Sequence, residues 1–270
     1  MTLASSPQGK PMVAEWLVTA MADYNRASLE KKQSYMAMVQ MPGRVLTDLI
    51  DWCFQSLPDE ILVGIEVDNS IKHRQEVDEL FRGDDHRWDL FAGQGYVIGE
   101  AHIVNRGDSY SVHHLPEEWT DGLFQESRGA RGGRFTHWLH THPNAAAIPS
   151  GADADAAQAT EGVDMILGVE FSPEGPLPWF DDVEGVRRPL AKTDSTQDVT
   201  SQPDQPVPRW RSKMFGRRNN RPVIGKAPTG HSIHGLELIA FHRTGVGINV
   251  ILVDDEGLPY GWPFKTDAID

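Results

Sequence analysis

The chain has 270 residues, 39% hydrophobic and 24% charged, which allows one sizeable domain with additions or two small domains. Its formal net charge of -14 argues against nucleic acid and anionic membrane as general partners, because such a surface repels both. The single cysteine, Cys53, excludes an internal disulfide and a cysteine-rich zinc site, so any metal has to be held by His, Asp or Glu.

Residues 1–11 read as disordered, with no basic stretch followed by a long apolar one, so no signal peptide is expected. No apolar run is long enough to span a bilayer, and the expected location is the cytoplasm. Residues 12–40 read as one helix, with Trp16, Leu17, Ala20 and Met21 at helical spacing, and Met36 and Met38 as packing residues. A second helix is predicted over 44–56, where Val45, Leu46, Leu49, Ile50, Cys53 and Phe54 form the apolar stripe, and Pro58 discourages continuation. Cys53 within that stripe reads as a small buried hydrophobe.

"EILVGIEV" follows as a strand with Ile61, Val63 and Ile65 on one face. The charged stretch 71–90 reads as helix or loop, and "GYVIGEAHIV" and "SYSVHHL" as two further strands. After the polar Gly/Arg-containing loop 116–133, "FTHWLHTHP" reads as a strand ending at Pro143. "SGADADAAQATEG" reads as a helix opened by Ser150 and closed by Gly162, and "VDMILGVEF" as a central strand. Residues 191–230 change composition, first to a Pro/Thr/Gln-rich flexible stretch and then to the basic cluster Arg209, Arg211, Lys213, Arg217, Arg218 and Arg221. Segment 209–221 reads either as a solvated insertion or as a docking segment for an acidic protein partner or a weak RNA contact. "LELIAFHRTGVGINVILV" reads as a hairpin turning at "RTGVG". The layout is α/β or α+β.

The chemistry concentrates in "THWLHTHPNAAAIPSGADADAAQ". His140 and His142 are one residue apart and share a strand face, so both imidazoles can reach one metal ion. Ser150 and Asp153 share the first turn of the following helix, and loop 144–149 can fold that turn back onto the histidines. Two His and one Asp leave the fourth position of a catalytic zinc to water. The bland alternative is a polar strand face followed by a capped helix, with Ser150 as the cap and Asp153 complementing the helix dipole.

"HTHPNAAAIPSGAD" resembles the JAMM (MPN+) metalloprotease pattern: His-x-His-Pro, a short loop, then Ser-x-x-Asp. Trp138, two residues before the first histidine, also suits that family. The resemblance implies a curved mixed β-sheet flanked by helices, with a catalytic core over 41–190, and leaves residues 1–40 outside it as an N-terminal helical extension. Residues 191–230 would then be an insertion and 231–270 a hairpin completing the core. It implies His140, His142 and Asp153 as ligands of one Zn2+ with water as the fourth, Ser150 as oxyanion donor, and a distant upstream glutamate as general base. The family glutamate sits where the first core helix turns into the first strand, often as His-Pro-x-Glu; here "LPDE" stands there with Leu57 in place of the histidine, which selects Glu60. Glu100, within the apolar strand "YVIGEAHIV", is the alternative, and Glu66 reads as a solvated edge.

The implied activity is hydrolysis of a peptide or isopeptide bond at the C-terminus of a ubiquitin-like or sulfur-carrier protein. A non-catalytic scaffold of the same fold and a zinc hydrolase of small amides or peptides are the other readings. His137 faces away from the two ligand histidines and reads as packing or surface, and His113 and His114 read as exposed. His231, His234 and His242 have no ligand spacing, Asp155 lies on the wrong helical face, and Asp254, Asp255 and Glu256 read as a solvated turn.

Overall fold

A computed structural model describes residues 13–68, 74–87, 90, 97–107, 135–173, 179–181, 187–189 and 221–264. The expected strand at 109–115 with His113 and His114, the loop 116–133, the disordered start and the basic cluster up to residue 220 lie outside the described residues.

The fold is mixed α+β. Helix α1 (Glu15–Glu30) is followed by strand β1 (Ala37–Pro42), helix α2 (Gly43–Ser56), strand β2 (Ile61–Val67) and helix α3 (Gln75–Phe81). Strands β3 (Ile98–Arg106) and β4 (His137–Pro143), helix α4 (Gly151–Ala157) and strand β5 (Val163–Ser172) come next. The short pair β6 (Trp179–Asp181) and β7 (Arg187–Pro189) precedes β8 (Gly225–Lys226), β9 (Ser232–His242) and β10 (Ile248–Val253). The main sheet has six strands in the order β3-β2-β4-β5-β9-β8, with β4 and β5 parallel and its other pairs antiparallel. β1 and β10 form a separate parallel pair. Single bridges, Gln40 to Val97 and Phe241 to Gly247, tie that pair to β3 on one side and β9 on the other, so the sheet curls round on itself. Among the described residues no helix is long and apolar enough to cross a membrane.

Two expectations need correction. The predicted helix over 12–40 stops at Glu30, and Ala37–Pro42 is a strand. "AMVQMP" is buried at every position, and a short apolar run carries no period of its own; parallel pairing with β10 decides it. The predicted C-terminal hairpin does turn at Gly245, with a φ of 80° and the His242 N–H donating to the Val246 carbonyl at 3.0 Å. Its two strands nevertheless part beyond Phe241–Gly247, β9 pairing with β5 and β10 with β1, because β10 is buried throughout and takes its partner from the core it fills.

Strand alternation separates the packing from the chemistry. Ile61, Val63, Ile65, Leu139, Met165, Leu167 and Val169 all point to one face, where they pack with Leu49, Cys53 and Phe54 of α2 and with Leu17 and Met21 of α1. The opposite face carries Leu62 and Trp138, which pack with Phe135, and then the two candidate ligand histidines. α3 closes a smaller core of Met38, Val77, Phe81, Ile251 and Val253 against the β1–β10 pair.

α1 is joined to this core by a buried amide. Asn25 donates to the carbonyls of Leu252 at 2.8 Å and Tyr260 at 3.0 Å and accepts from the Leu252 N–H at 2.9 Å. One side chain thus serves both backbone groups of a β10 residue on the side away from β1. Asn25→Ala takes the amide from the Leu252 N–H and the Tyr260 carbonyl, while the Leu252 carbonyl keeps the Tyr260 N–H at 3.0 Å, and is expected to cost about 2 kcal/mol. Urea denaturation measures it, and a loss below about 1 kcal/mol would mean that water replaces the amide.

Candidate metal centre

β4 lies inside the sheet, between β2 and β5, and presents His140 and His142 on the face opposite α2. The chain leaves β4 at Pro143 and turns at Asn144, whose φ of 54° is one that asparagine tolerates better than most residues. Asn144 fixes the turn to β5: its N–H donates to the Val169 carbonyl at 2.8 Å and its Oδ1 accepts from the Phe171 N–H at 2.9 Å.

Loop 144–149 then doubles back and delivers α4 onto the histidine face. Ser150 caps α4 as expected. Its Oγ accepts from the Asp153 N–H at 3.2 Å, and Asp153 Oδ2 accepts from the Ser150 N–H at 2.6 Å, a reciprocal capping box. The predicted closure by Gly162 is not observed, since α4 ends at Ala157. Gly162 instead lies against His137, where a Cβ would come within 2.4 Å of the ring Nδ1; close packing, not helix termination, requires the glycine.

The capping box uses only one oxygen of Asp153. The other, Oδ1, is 3.2 Å from His140 Nε2, which is 3.1 Å from His142 Nε2. Asp153 and His140 are buried and His142 is partly so. These separations fit one ion, because a tetrahedral site with metal–nitrogen bonds of the zinc length has ligand–ligand edges of about 3.3 Å. The chemistry of the donors agrees. His142 Nδ1 lies 2.8 Å from the Ala146 carbonyl, which can only accept, so Nδ1 carries the proton and Nε2 offers its lone pair. A carboxylate oxygen and imidazole nitrogens converging in this way make a cluster that could hold a metal ion.

Glu60 precedes β2. Leu62 pairs with His140, and continuing that antiparallel register puts Glu60 opposite His142. It is 9% exposed, whereas the alternative, Glu100, has a side chain 76% exposed on edge strand β3. Glu100 and Glu66 flank His102 there, with carboxylate oxygens 3.7 and 3.2 Å from its Nε2. Cys53 is buried as expected; burial pushes its thiol up to about 12, a hydrogen bond to Thr141 opposes this, and the charge of Glu60 adds to it. His231 stacks with Phe54 and Phe171, His234 Nε2 is 2.7 Å from Ser172 Oγ and His242 Nδ1 is 2.9 Å from Thr244 Oγ1, so none of the three joins the metal cluster. The last residue of the basic cluster, Arg221, pairs with Glu170 at 2.6 Å.

No family model matches the chain. No curated protein matches it either.

Glu237 and Gly168 also bear on the site, and no sequence signal marked them. Glu237 on β9 accepts from the Ala147 N–H at 3.0 Å across 90 residues of chain. At Gly168, a Cβ would sit 2.9 Å from the Ala145 carbonyl oxygen and 3.0 Å from the Ala147 nitrogen, so the loop needs a glycine beneath it.

His137 is a buried packing residue behind the ligands. Its Nδ1 accepts from the Val163 N–H at 2.9 Å, and burial pushes its pKa down to about 4 from 6.5. A folded-state pKa below the unfolded one gives stability that is complete above pH 6.5 and lost as the pH falls towards 4, about 3 kcal/mol in all. His231 and His242 shift in the same direction, also through burial. Urea denaturation of metal-free protein between pH 7.5 and 4 should show a smaller acid loss for His137→Asn, whose amide oxygen can still accept from Val163. An unchanged slope would show that His137 is protonated in the fold.

Proposed function

We propose that the chain is a zinc-dependent metallopeptidase or isopeptidase of the JAMM (MPN+) type. The observation that carries the proposal is the convergence of one ligand atom each from His140, His142 and Asp153 within 4.8 Å of one another, on the residues that the His-x-His-Pro…Ser-x-x-Asp pattern specifies. Two imidazoles and one carboxylate suit zinc, although the same donors also take other divalent transition metals. Zinc bound there supplies Lewis acidity and a water-derived nucleophile at neutral pH.

The protein's own groups divide the remaining work. Glu60, little exposed and at the register position across from His142, takes the proton from the attacking water and passes it to the departing amine. The Ser150 hydroxyl accepts the cap hydrogen bond through its oxygen, which leaves its O–H to donate to the oxyanion of the tetrahedral intermediate. Ser150 is exposed at the start of α4, where a substrate carbonyl has access. Substrate and linkage follow from the resemblance alone: a peptide or isopeptide bond at the C-terminus of a ubiquitin-like or sulfur-carrier protein. The proposal includes segment 209–221 as a docking site for a protein partner.

The purified protein is expected to hold one zinc per chain, and His142→Ala to lose it; wild-type protein without stoichiometric metal would overturn the site. Incubation with ubiquitin-like conjugates and linear fusions, with and without a chelator, tests the activity. Glu60→Gln should keep its zinc and lose turnover by about 10²-fold or more, while Glu100→Gln stays within about twofold of wild type. The opposite ranking would move the general base to Glu100.

A further inference from the structure

His142, Gly168 and Glu237 occupy one row across three adjacent strands, since His142 pairs with Gly168 on β5 and Gly168 pairs with Glu237 on β9. Directly opposed residues project to the same sheet face, so His142 and Glu237 stand on either side of the hydrogen that serves Gly168 as a side chain. Two strand spacings separate them, about 10 Å, too far for contact.

One peptide group spans the gap. The Ala146 carbonyl accepts from His142 Nδ1–H at 2.8 Å, and the N–H of the same peptide unit, on Ala147, donates to Glu237 Oε2 at 3.0 Å. A trans peptide directs its C=O and N–H in opposite directions, so it can sit in line between an imidazole and a carboxylate. Gly168 leaves the room: any Cβ there would press on the Ala145 oxygen and the Ala147 nitrogen. Ala147 is buried, whereas Glu237 is exposed, so the carboxylate holds a buried peptide from the solvent side.

We infer that Glu237 is a positioning residue for His142, acting through the Ala146–Ala147 peptide. The carboxylate fixes the peptide, and the peptide fixes both the orientation of the imidazole and the nitrogen that carries its proton, so Nε2 is held ready as a ligand. A carboxylate or carbonyl beside a ligating histidine is a familiar arrangement; here the two act in series, with the peptide between them. The inference rests on the metal-site reading above.

The test is zinc affinity, measured by competition with a chromophoric chelator on folded, metal-stripped protein. Three proteins are compared: wild type, Glu237→Ala and Glu237→Gln. Glu237→Gln loses the charge but keeps an oxygen that accepts from the Ala147 N–H. Expected is a Kd about 10-fold or more weaker for Glu237→Ala and within about threefold of wild type for Glu237→Gln. Equal affinity in wild type and Glu237→Ala overturns the inference. An equal loss in both variants overturns it too, because a distant charge and not the peptide clamp would then be responsible. Wild-type protein that binds no zinc overturns the metal site itself, a result distinct from either.

Discussion

β4 and β5 run parallel and side by side, so the chain leaving Pro143 has to return along the sheet before Val163 can begin the next strand. The return is made by loop 144–149 and α4, and the candidate site is built from it. Parallel pairing puts Gly168 beside His142, and the missing side chain lets the loop lie down on β5. With the loop lowered, the first turn of α4 reaches back to His140, and Asp153 Oδ1 comes to 3.2 Å from it. A side chain at 168 would lift the loop and take the third ligand with it.

Asp153 also shows how a helix start and a metal ligand combine in one carboxylate. Oδ2 satisfies the Ser150 N–H and holds the first turn of α4, while Oδ1 faces the histidines. The capped helix and the candidate metal site are therefore one arrangement, in which the capping box sets the carboxylate's rotamer and so aims its second oxygen. Strand alternation does the same for the sheet: odd-numbered residues of β2, β4 and β5 fill the core under α2, and on the other face of β4 Trp138 packs with Phe135 while His140 and His142 face Asp153.

α1 belongs to the same physical unit. Leu17 and Met21 enter the main core, and Asn25 hydrogen-bonds the backbone of β10 where no strand pairs with it. Glu60 depends on the packing of α2, because the helix ending at Ser56 sets where β2 begins and hence which residue meets the end of β4.

The local code was sufficient wherever a pattern repeats along the chain. The apolar stripe of α2, the alternation of β2, the paired histidines of β4 and the Ser-x-x-Asp cap were legible because each is complete within a dozen residues. The length of loop 144–149 allows its return to the histidines, whereas the choice of Glu60 over Glu100 rests on the family resemblance. Tertiary structure decided what no local period contains. Ala37–Pro42 became a strand because β10 was there to pair with it, and the C-terminal hairpin parted because each of its strands found a longer-lying partner elsewhere. Gly162 stands where a helix stop fits the local sequence, yet its lack of a side chain makes room for His137; Glu237 carries no local signal, because the peptide it holds lies 90 residues away. The sequence by itself determined which side chains can bind a metal, since donor type and spacing are local. Only the fold decided that their lone pairs meet, since that depends on the register of strands far apart in the chain and on the one position between them that has no side chain.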